Sequence, residues 1–329
     1  MRLTVAVIQG GPSSEAEVSR ACAKGVAEAL KQAGHVAVRL ELDDHLAESL
    51  RTGGYDVVFP VVHGAVGEDG SLQGLLEVLG LPYVGANVLA SAVAMDKPMA
   101  KKIMSLEGVP VPRGAVLVRG ESAEKAADRA RREVGLALVV KPAANGSAIG
   151  VARIESDAPL EDVARAIEAV WKIDDAALAE TFVRGKEVTC GVLDLEGIAT
   201  ALPPTEISSP KDAFYTYEAR YAPGRSVHAC PAKLDAAITA RVQELAVLAH
   251  RSLGCRDLSR VDFVVGDRIE DVIVLEVNTM PGFTATSLYP EAAAVAGIAF
   301  PDLCDRFVKE AARRGPSRRN EALAFPGKP

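Results

Sequence analysis

Two apolar stretches carry the side chains with the most evident chemistry. Val272-Ile273-Val274-Leu275-Glu276-Val277-Asn278 holds one carboxylate and one carboxamide, and Arg260-Val261-Asp262-Phe263-Val264-Val265 holds a second carboxylate beside a guanidinium. Both have the composition of strands, in which successive side chains point to opposite faces. Strict alternation places Glu276 and Asn278 on the face of Val272 and Val274, and Arg260 and Asp262 on the face of Val264. A carboxylate embedded in apolar strands is costly unless something compensates it. A hard divalent cation would do so, and the oxygens of Asp, Glu and Asn suit Mg²⁺. The alternative is a pair of strands whose charged ends emerge into solvent.

A third stretch, Val139-Val140-Lys141-Pro142 followed by Ala143-Ala144-Asn145-Gly146-Ser147-Ala148-Ile149-Gly150, ends an apolar run on a lysine and continues as a loop of small residues. Such a loop lets backbone N–H groups approach phosphate oxygens while the lysine adds a point charge. Neither a GxxxxGK[ST] nor a GxGxxG pattern is present, and an ordinary hairpin with a glycine turn fits the segment equally. His63, in Val61-Val62-His63-Gly64-Ala65-Val66-Gly67-Glu68-Asp69-Gly70, follows an apolar run, where ligands bind in open α/β sheets. It would orient a substrate there or simply cap the loop. Glu15 follows Gly10-Gly11 at the start of a helical pattern, where it would complement the helix dipole or pair with a ligand ammonium.

The elements that must position these groups alternate. Leu3–Ile8 reads as a strand buried on both faces, the chain then turns into a helix to about Ala33 with Gly34 beyond it, and Val36–Leu42 and Asp56–Val62 read as further strands. This βαβ rhythm predicts a parallel sheet covered by helices. The uncharged run Val78–Met95 reads as a buried loop feeding a helix, since Gly80, Pro82, Gly85 and Asn87 interrupt it. Beyond it, Ser122 is an N-cap with Gly135 past the helix end, strands fall at Leu138–Lys141, Val151–Ile154 and near Ala177–Val183, and a helix at about Leu160–Trp171. The last part reads as strands at Glu187–Leu193, Ile198–Pro203, Val261–Val265 and Val272–Asn278. A long helix between them carries Ile238, Val242, Leu245, Ala249 and Leu253 on one face. Residues 208–231 show no clean period, and a loop of that length is usually functional or disordered.

Composition narrows the function classes. The 329 residues are 49% hydrophobic and 25% charged, ordinary for a globular protein of two or three domains. The net charge of −7 argues against a nucleic-acid binder, and 5% aromatics leave little for stacking on bases. The five cysteines are scattered without a CxxC pair, which reads as reduced core thiols. His228, Cys230, His250 and Cys255 fit no common zinc spacing. No secretion signal or membrane span is read from the sequence, so the expectation is a cytoplasmic protein. From Arg313 onward five basic residues face one acidic, a loose tail on this reading.

Taken in order, Gly10–Ser19, His63-Gly64 with Gly67–Gly70, Met95-Asp96-Lys97, Lys141-Pro142 with Gly146-Ser147, Phe214-Tyr215 with Tyr217-Glu218-Ala219 and Tyr221, Arg260-Val261-Asp262, and Glu276–Thr279 with Pro281-Gly282 and Ser287-Leu288 resemble the D-alanine–D-alanine ligases of the ATP-grasp superfamily, from about Leu3 to Ala311. The resemblance implies α/β and α+β architecture: an ATP-grasp fold with an N-terminal Rossmann-like parallel-sheet domain. It divides the chain into an N-terminal substrate-binding domain (1–95), a small central subdomain (96–184), a C-terminal subdomain with the metal site and a lid (185–312, lid 208–231), and a flexible tail (313–329).

The same resemblance implies roles. ATP would lie between the central and last domains, with Lys97, Lys141 and Ser147 at its phosphates, Glu180, Thr181, Phe182 and Val183 at the adenine, and Glu187 at the ribose. Tyr215, Arg220, Phe263 and Asn278 complete the nucleotide-binding set. Two Mg²⁺ ions, for which Mn²⁺ would substitute, would be held by Asp262, Glu276 and Asn278. Glu15 would pair with the ammonium of the first D-alanine, with His63 nearby. Arg260 and the Gly282 N–H would stabilise the oxyanion, and Ser287 and the Leu288 N–H would grip the second carboxylate. Ser147 and Tyr221, linked to Glu15, would close the site. The implied product is D-alanyl-D-alanine for peptidoglycan precursors, made through an acyl phosphate by a homodimer without nucleic-acid or membrane partners. Arg220 stands where lysine is usual, Thr181 where lysine is common, and Ala148 where serine is frequent; Tyr221 is typical of dipeptide rather than depsipeptide makers. An ATP-grasp ligase for other small D-amino or hydroxy acids, or an inactive nucleotide-binding paralogue, are the alternative readings.

Overall fold

The computed structural model describes residues 1–146, 148–208, 227–284 and 287–316. The first stretch runs β1 (Thr4–Gln9), α1 (Ala16–Gln32), β2 (Val36–Glu41), α2 (Leu46–Thr52) and β3 (Val57–Pro60). Its strands form a parallel sheet in the order β2-β1-β3, the right outcome for apolar runs separated by helices. Val5, Val7, Val57 and Phe59 are buried against α1, while Ala6, Ile8 and Val58 pack with α2 on the other face.

Three helices follow: α3 (Ser71–Leu79), α4 (Val88–Met95) and α5 (Lys97–Leu106). The uncharged run is a loop feeding a helix, as expected: residues 80–87 lead into α4, with Tyr83, Val84 and Ala86 buried, while Val78 at 77% and Leu89 at 72% are exposed on the flanking helices. Gly80 and Gly85 take positive φ between the helices, which is why the run reads as broken. Asp96 caps α5, accepting the Met99 N–H at 2.9 Å, with Pro98 in the first turn.

The next sheet is antiparallel, β4-β7-β5-β6, built from β4 (Gly114–Val118), β5 (Leu138–Pro142), β6 (Ala152–Ile154) and β7 (Ala176–Thr181). Helices α6 (Ala123–Glu133) and α7 (Leu160–Val170) cover one face, burying the alanine stripe Ala123, Ala126, Ala127 and Ala130 with Val163, Ile167 and Val170. Small side chains let α6 lie close on the sheet.

The third sheet contains β8 (Lys186–Leu195), β9 (Ile198–Ala201), β10 (Thr205–Ser208), β11 (Val227–Ala229), β12 (Asp257–Val265) and β13 (Val272–Asn278), ordered β11-β10-β8-β12-β13 with β9 also on β8. The expected loop 208–231 therefore starts on one strand and ends on another: Ser208 pairs with Val227. Residues 209–226 lie outside the described residues. Helix α8 (Ala236–Ser252) buries Ile238, Val242, Leu245 and Ala249 beneath this sheet, as the helical period predicts.

Helices α9 (Leu288–Val295) and α10 (Phe300–Arg314) close the structure. Phe307 of α10 packs with Phe59 of β3, Phe283 and Tyr289, so the first sheet and the far end of the chain share one core. Arg313 and Arg314 belong to α10 rather than to a loose tail; residues 317–329 lie outside the described residues. Arg314 donates to Asp257 at 2.9 Å and to the Tyr83 carbonyl at 2.9 Å, and Asp257 also accepts the Gly85 N–H at 2.8 Å. That buried junction joins α10, the α3–α4 connection and β12. Among the described residues no helix is long and apolar enough to cross a membrane.

Candidate active site

Asp262 and Glu276 are cross-strand partners, with Arg260 opposite Asn278 one pair further on. The pairing slips by one residue there: Phe263 faces Val274, so Leu275 is the extra residue of a β-bulge. The slip corrects the alternation argument. Val272 and Val274 point into the core with Phe263 and Val277, whereas Leu275 and Glu276 both turn to the opposite side and line a cleft together with Val264. Glu276 and Asn278 therefore do not share a face with Val272 and Val274. Phe263 is corrected in the same way: only 1% exposed, it packs in the core beneath the sheet instead of meeting a nucleotide.

Asp262 is held from several sides. Arg260 donates to both of its oxygens at 2.8 Å, Thr189 Oγ1 to Oδ1 at 2.7 Å and Asn278 Nδ2 to Oδ2 at 3.1 Å. Each carboxylate oxygen thus has two donors. Glu276 lies 3.6 Å from Lys97 Nζ. Among the described residues no group of three or more His, Cys, Asp or Glu is arranged to hold a metal; the acidic set here is two carboxylates and an amide.

The cleft lies between the four-stranded sheet and the third sheet. Lys97, from the first turn of α5, and Lys141, from β5, enter it beside Glu180 of β7. Lys97 Nζ donates to the Asn145 carbonyl, which ties the helix to the small-residue loop. Lys141 Nζ is 2.6 Å from Glu180 Oε2, and Lys101, one helical turn beyond Lys97, meets Oε1 of the same carboxylate. Burial would lower the Lys141 ammonium, but Glu180 and Glu276 outweigh it and raise it above the ordinary lysine value. Burial pushes the Lys101 ammonium down to about 8, helped by the neighbouring Lys141. Thr181, Phe182 and Val183 continue from Glu180 along the cleft wall, with Glu187 on β8 beyond them. Arg153 lies over the Phe182 ring at 4.0 Å.

A second cluster adjoins the first. Ser13 Oγ donates to the His63 carbonyl at 2.7 Å, pinning the Gly10–Glu15 turn to the His63 loop. Glu15 is 7% exposed, and its Oε2 would lie 3.3 Å from a Cβ on Gly64 and 3.6 Å from one on Gly146. Glycine at both positions leaves room around that carboxylate, and Gly64 also holds φ +74°. His63 Nδ1 contacts the Met280 carbonyl at 3.2 Å, so this nitrogen carries the proton. Its buried Nε2 has no hydrogen-bond partner among the described residues. Burial, against the pull of Glu15, holds the imidazole below the ordinary histidine value. Glu68 accepts the Gly64 N–H at 2.6 Å; burial, with Glu15 second, pushes its carboxyl up to about 8.

The loop after β13 completes this cluster. Ser287 Oγ accepts the Thr284 N–H at 3.1 Å and lies 2.7 Å from Thr284 Oγ1. A Cβ on Gly282 would meet Ser287 Oγ at 3.0 Å. Leu288 opens α9, where backbone N–H groups have no partner within the helix. Cys22 of α1 accepts the Phe283 N–H through its sulfur at 3.2 Å, fixing the loop against the first domain's main helix.

Of the residues expected from sequence, Glu15, His63, Arg260, Gly282, Ser287 and Leu288 stand on the second cluster. Lys97, Lys141, Glu180, Thr181, Phe182, Val183, Glu187 and Glu276 line the cleft, and Asp262 and Asn278 sit where the two clusters meet. Ser147, Tyr215, Arg220 and Tyr221 lie outside the described residues. Lys101, Glu68, Thr189 and Leu275 were not anticipated. Lys97, Ala100, Lys101 and Met104 are the buried side of α5, so lysines at core spacing are the signal that marks Lys101.

A cleft between an antiparallel sheet and a second, larger one, entered by buried lysines and floored by paired carboxylates, defines the ATP-grasp class. Comparison with known proteins narrows this further. Sequence models of the D-ala D-ala ligase N-terminus and C-terminus match residues 37–86 and 103–309. The D-alanine–D-alanine ligase of Pelotomaculum thermopropionicum is 44% identical over 94% of this chain and 96% of its own length, and that of Gluconobacter oxydans 41% identical over 95% and 100%. The Bacillus anthracis D-alanine–D-alanine ligase complexed with ATP superposes with a TM-score of 0.80 at 30% identity, covering 94% of this chain and 98% of that one. The chain belongs to the D-alanine–D-alanine ligase family.

Proposed function

We propose that this chain is an ATP-dependent ligase that joins two D-alanines into D-alanyl-D-alanine, with release of ADP and phosphate, for peptidoglycan precursors. The observation that carries this reading is that Arg260 donates to both oxygens of Asp262. One carboxylate thereby holds the guanidinium of the amino-acid cluster and stands opposite Glu276, which lines the nucleotide cleft.

ATP lies in the cleft, with its phosphates toward Lys97, Lys141 and the small-residue loop and its base against Phe182, Val183 and Leu275. The oxygen donors of Asp262, Glu276 and Asn278 fit two Mg²⁺ ions, or Mn²⁺ in their place, once the Asn278 amide presents its oxygen instead of its nitrogen. Bound there, such ions would neutralise charge on the phosphate oxygens. The first D-alanine is held by Glu15 at its ammonium, and its carboxylate attacks the γ-phosphorus, giving an acyl phosphate and ADP. The amine of the second attacks the acyl carbon, and phosphate leaves. The neutral His63 Nε2 stands ready to accept the proton that this amine loses. The oxyanion faces the Arg260 guanidinium and the Gly282 N–H, and the second carboxylate meets Ser287 and the Leu288 N–H. Segment 208–231 acts as a lid that keeps water from the acyl phosphate. The enzyme works as a cytoplasmic homodimer, with domains at 1–95, 96–184 and from 185 to the end of α10 at Arg314.

Phosphate release is measured with ATP and Mg²⁺ and either D- or L-alanine, and the product is weighed by mass spectrometry. Release with D-alanine alone and a dipeptide mass are expected. Equal turnover of both enantiomers, or no product from D-alanine, overturns the assignment.

A further inference from the structure

Lys101 has no part in the roles above, yet its side chain is only 8% exposed. It sits on α5 with Ala100 and Met104, facing the core. A lysine is not kept in such a place unless an anion meets it, and the anion is Glu180, ion-paired to Lys101 through Oε1. Glu180 lines the cleft, whereas Lys101 stands behind it.

The second partner of Glu180 is Lys141, at 2.6 Å from Oε2. Lys141 is a shared group. It enters the cleft, and it is drawn toward Glu276 as well as Glu180. When phosphate oxygens occupy the cleft, they compete for the same ammonium. Lys101, behind the wall, is out of their reach and stays with Glu180. Among the described residues, the ion pairs of Lys97, Lys101 and Lys141 are made with two carboxylates, Glu180 and Glu276, three cations to two anions. The two lysines together hold the Glu180 carboxyl below the ordinary range against the opposing effect of burial.

A carboxylate fixed in this way is an acceptor with no proton to give. It favours the exocyclic amine at position 6 of a purine and repels an oxygen at the same position. We propose that Lys101 is a positioning residue that holds Glu180 as acceptor for the purine 6-amino group, and so sets the preference for adenine over guanine nucleotides. The inference rests on the ATP-binding role of the cleft.

The test uses the full-length enzyme and its Lys101→Met and Lys101→Arg variants. Steady-state constants are measured with ATP, GTP and D-alanine, and nucleotide binding by calorimetry. Loss of Lys101 leaves two lysines paired with two carboxylates, a set without excess charge. Lys101→Met is expected to weaken ATP roughly tenfold, the size of one lost hydrogen bond to a charged group, and to narrow the ATP-over-GTP preference by a similar factor. The KM for D-alanine should stay within about twofold, and Lys101→Arg should recover most of the loss. An unchanged nucleotide preference, or a parallel rise in the D-alanine KM, overturns the proposal. Lys101→Gln carries the same expectation where the Met variant does not fold. A wild-type enzyme that binds no ATP overturns the cleft reading itself. One that binds ATP while Lys101→Met keeps the full preference overturns only the role of Lys101.

Discussion

Asp262 and Glu276 face each other across β12 and β13 on the cleft side of the sheet, and the bulge that leaves Leu275 unpaired keeps Glu276 on that side. Without the bulge, Glu276 would fall on the face of Val274, in the core beneath the sheet. The chemistry of the floor therefore depends on the strand holding Leu275 as an unpaired residue.

Deleting Leu275 removes the bulge and leaves its neighbours where they are: Val274 still pairs with Phe263 and points into the core, and Glu276 still pairs with Asp262 on the cleft side, now in regular alternation. What is lost is one apolar side chain of the cleft wall. The KM for ATP should rise roughly tenfold in the deletion variant, the size of one lost apolar contact, while the Mg²⁺ concentration needed for half-maximal phosphate release stays close to that of the parent. A shifted Mg²⁺ requirement would show that the bulge itself positions Glu276.

Glu276→Gln keeps size and removes charge. Its kcat with ATP and D-alanine should fall roughly a hundredfold or more, given the several kcal/mol that metal-held charge contributes to such transition states. The Mg²⁺ concentration needed for half-maximal rate should rise as well. Unchanged turnover would mean that Glu276 holds no ion.

The Glu68 carboxyl, pushed up to about 8 from its ordinary 4.5 by burial, stays protonated in the folded protein at neutral pH. The unfolded chain ionises near the ordinary value. The folded state thus binds more protons between these two values, and the stability owed to Glu68 declines as pH climbs through that window. Glu68→Gln removes this loss while its amide oxygen still accepts the Gly64 N–H. Relative to the parent, its melting temperature should improve steadily between pH 5 and pH 8. A constant difference across the window would contradict the raised carboxyl.

Arg314→Met removes the ion-pair partner of Asp257, 1% exposed on its side chain, and leaves Arg256 as the nearby cation. Removing one partner of such a buried pair costs about 3 kcal/mol or more. Urea unfolding should show that loss, and the KM for D-alanine should rise. The junction sets the α3–α4 connection against β12, three residues before Arg260 on the same strand.

Local pattern was enough to place much of this molecule. Apolar runs broken by helices dictate the parallel first sheet, and Ser122 and Gly135 bracket α6 because a side-chain acceptor and a residue free to take positive φ are needed at those ends. Asp262, Glu276, Lys141 and His63 stand out in the chain because charged or titratable side chains on or just beyond apolar strands require compensation. These features depend on neighbours a few residues apart, which sequence displays directly. The bulge at Leu275, the inward turn of Phe263 and the capture of Glu180 by Lys101 depend on which strand lies beside which, and in what register. Lys101 and Glu180 meet only because α5 packs under a sheet formed far along the chain, and that proximity is a product of tertiary packing, to which no local period responds.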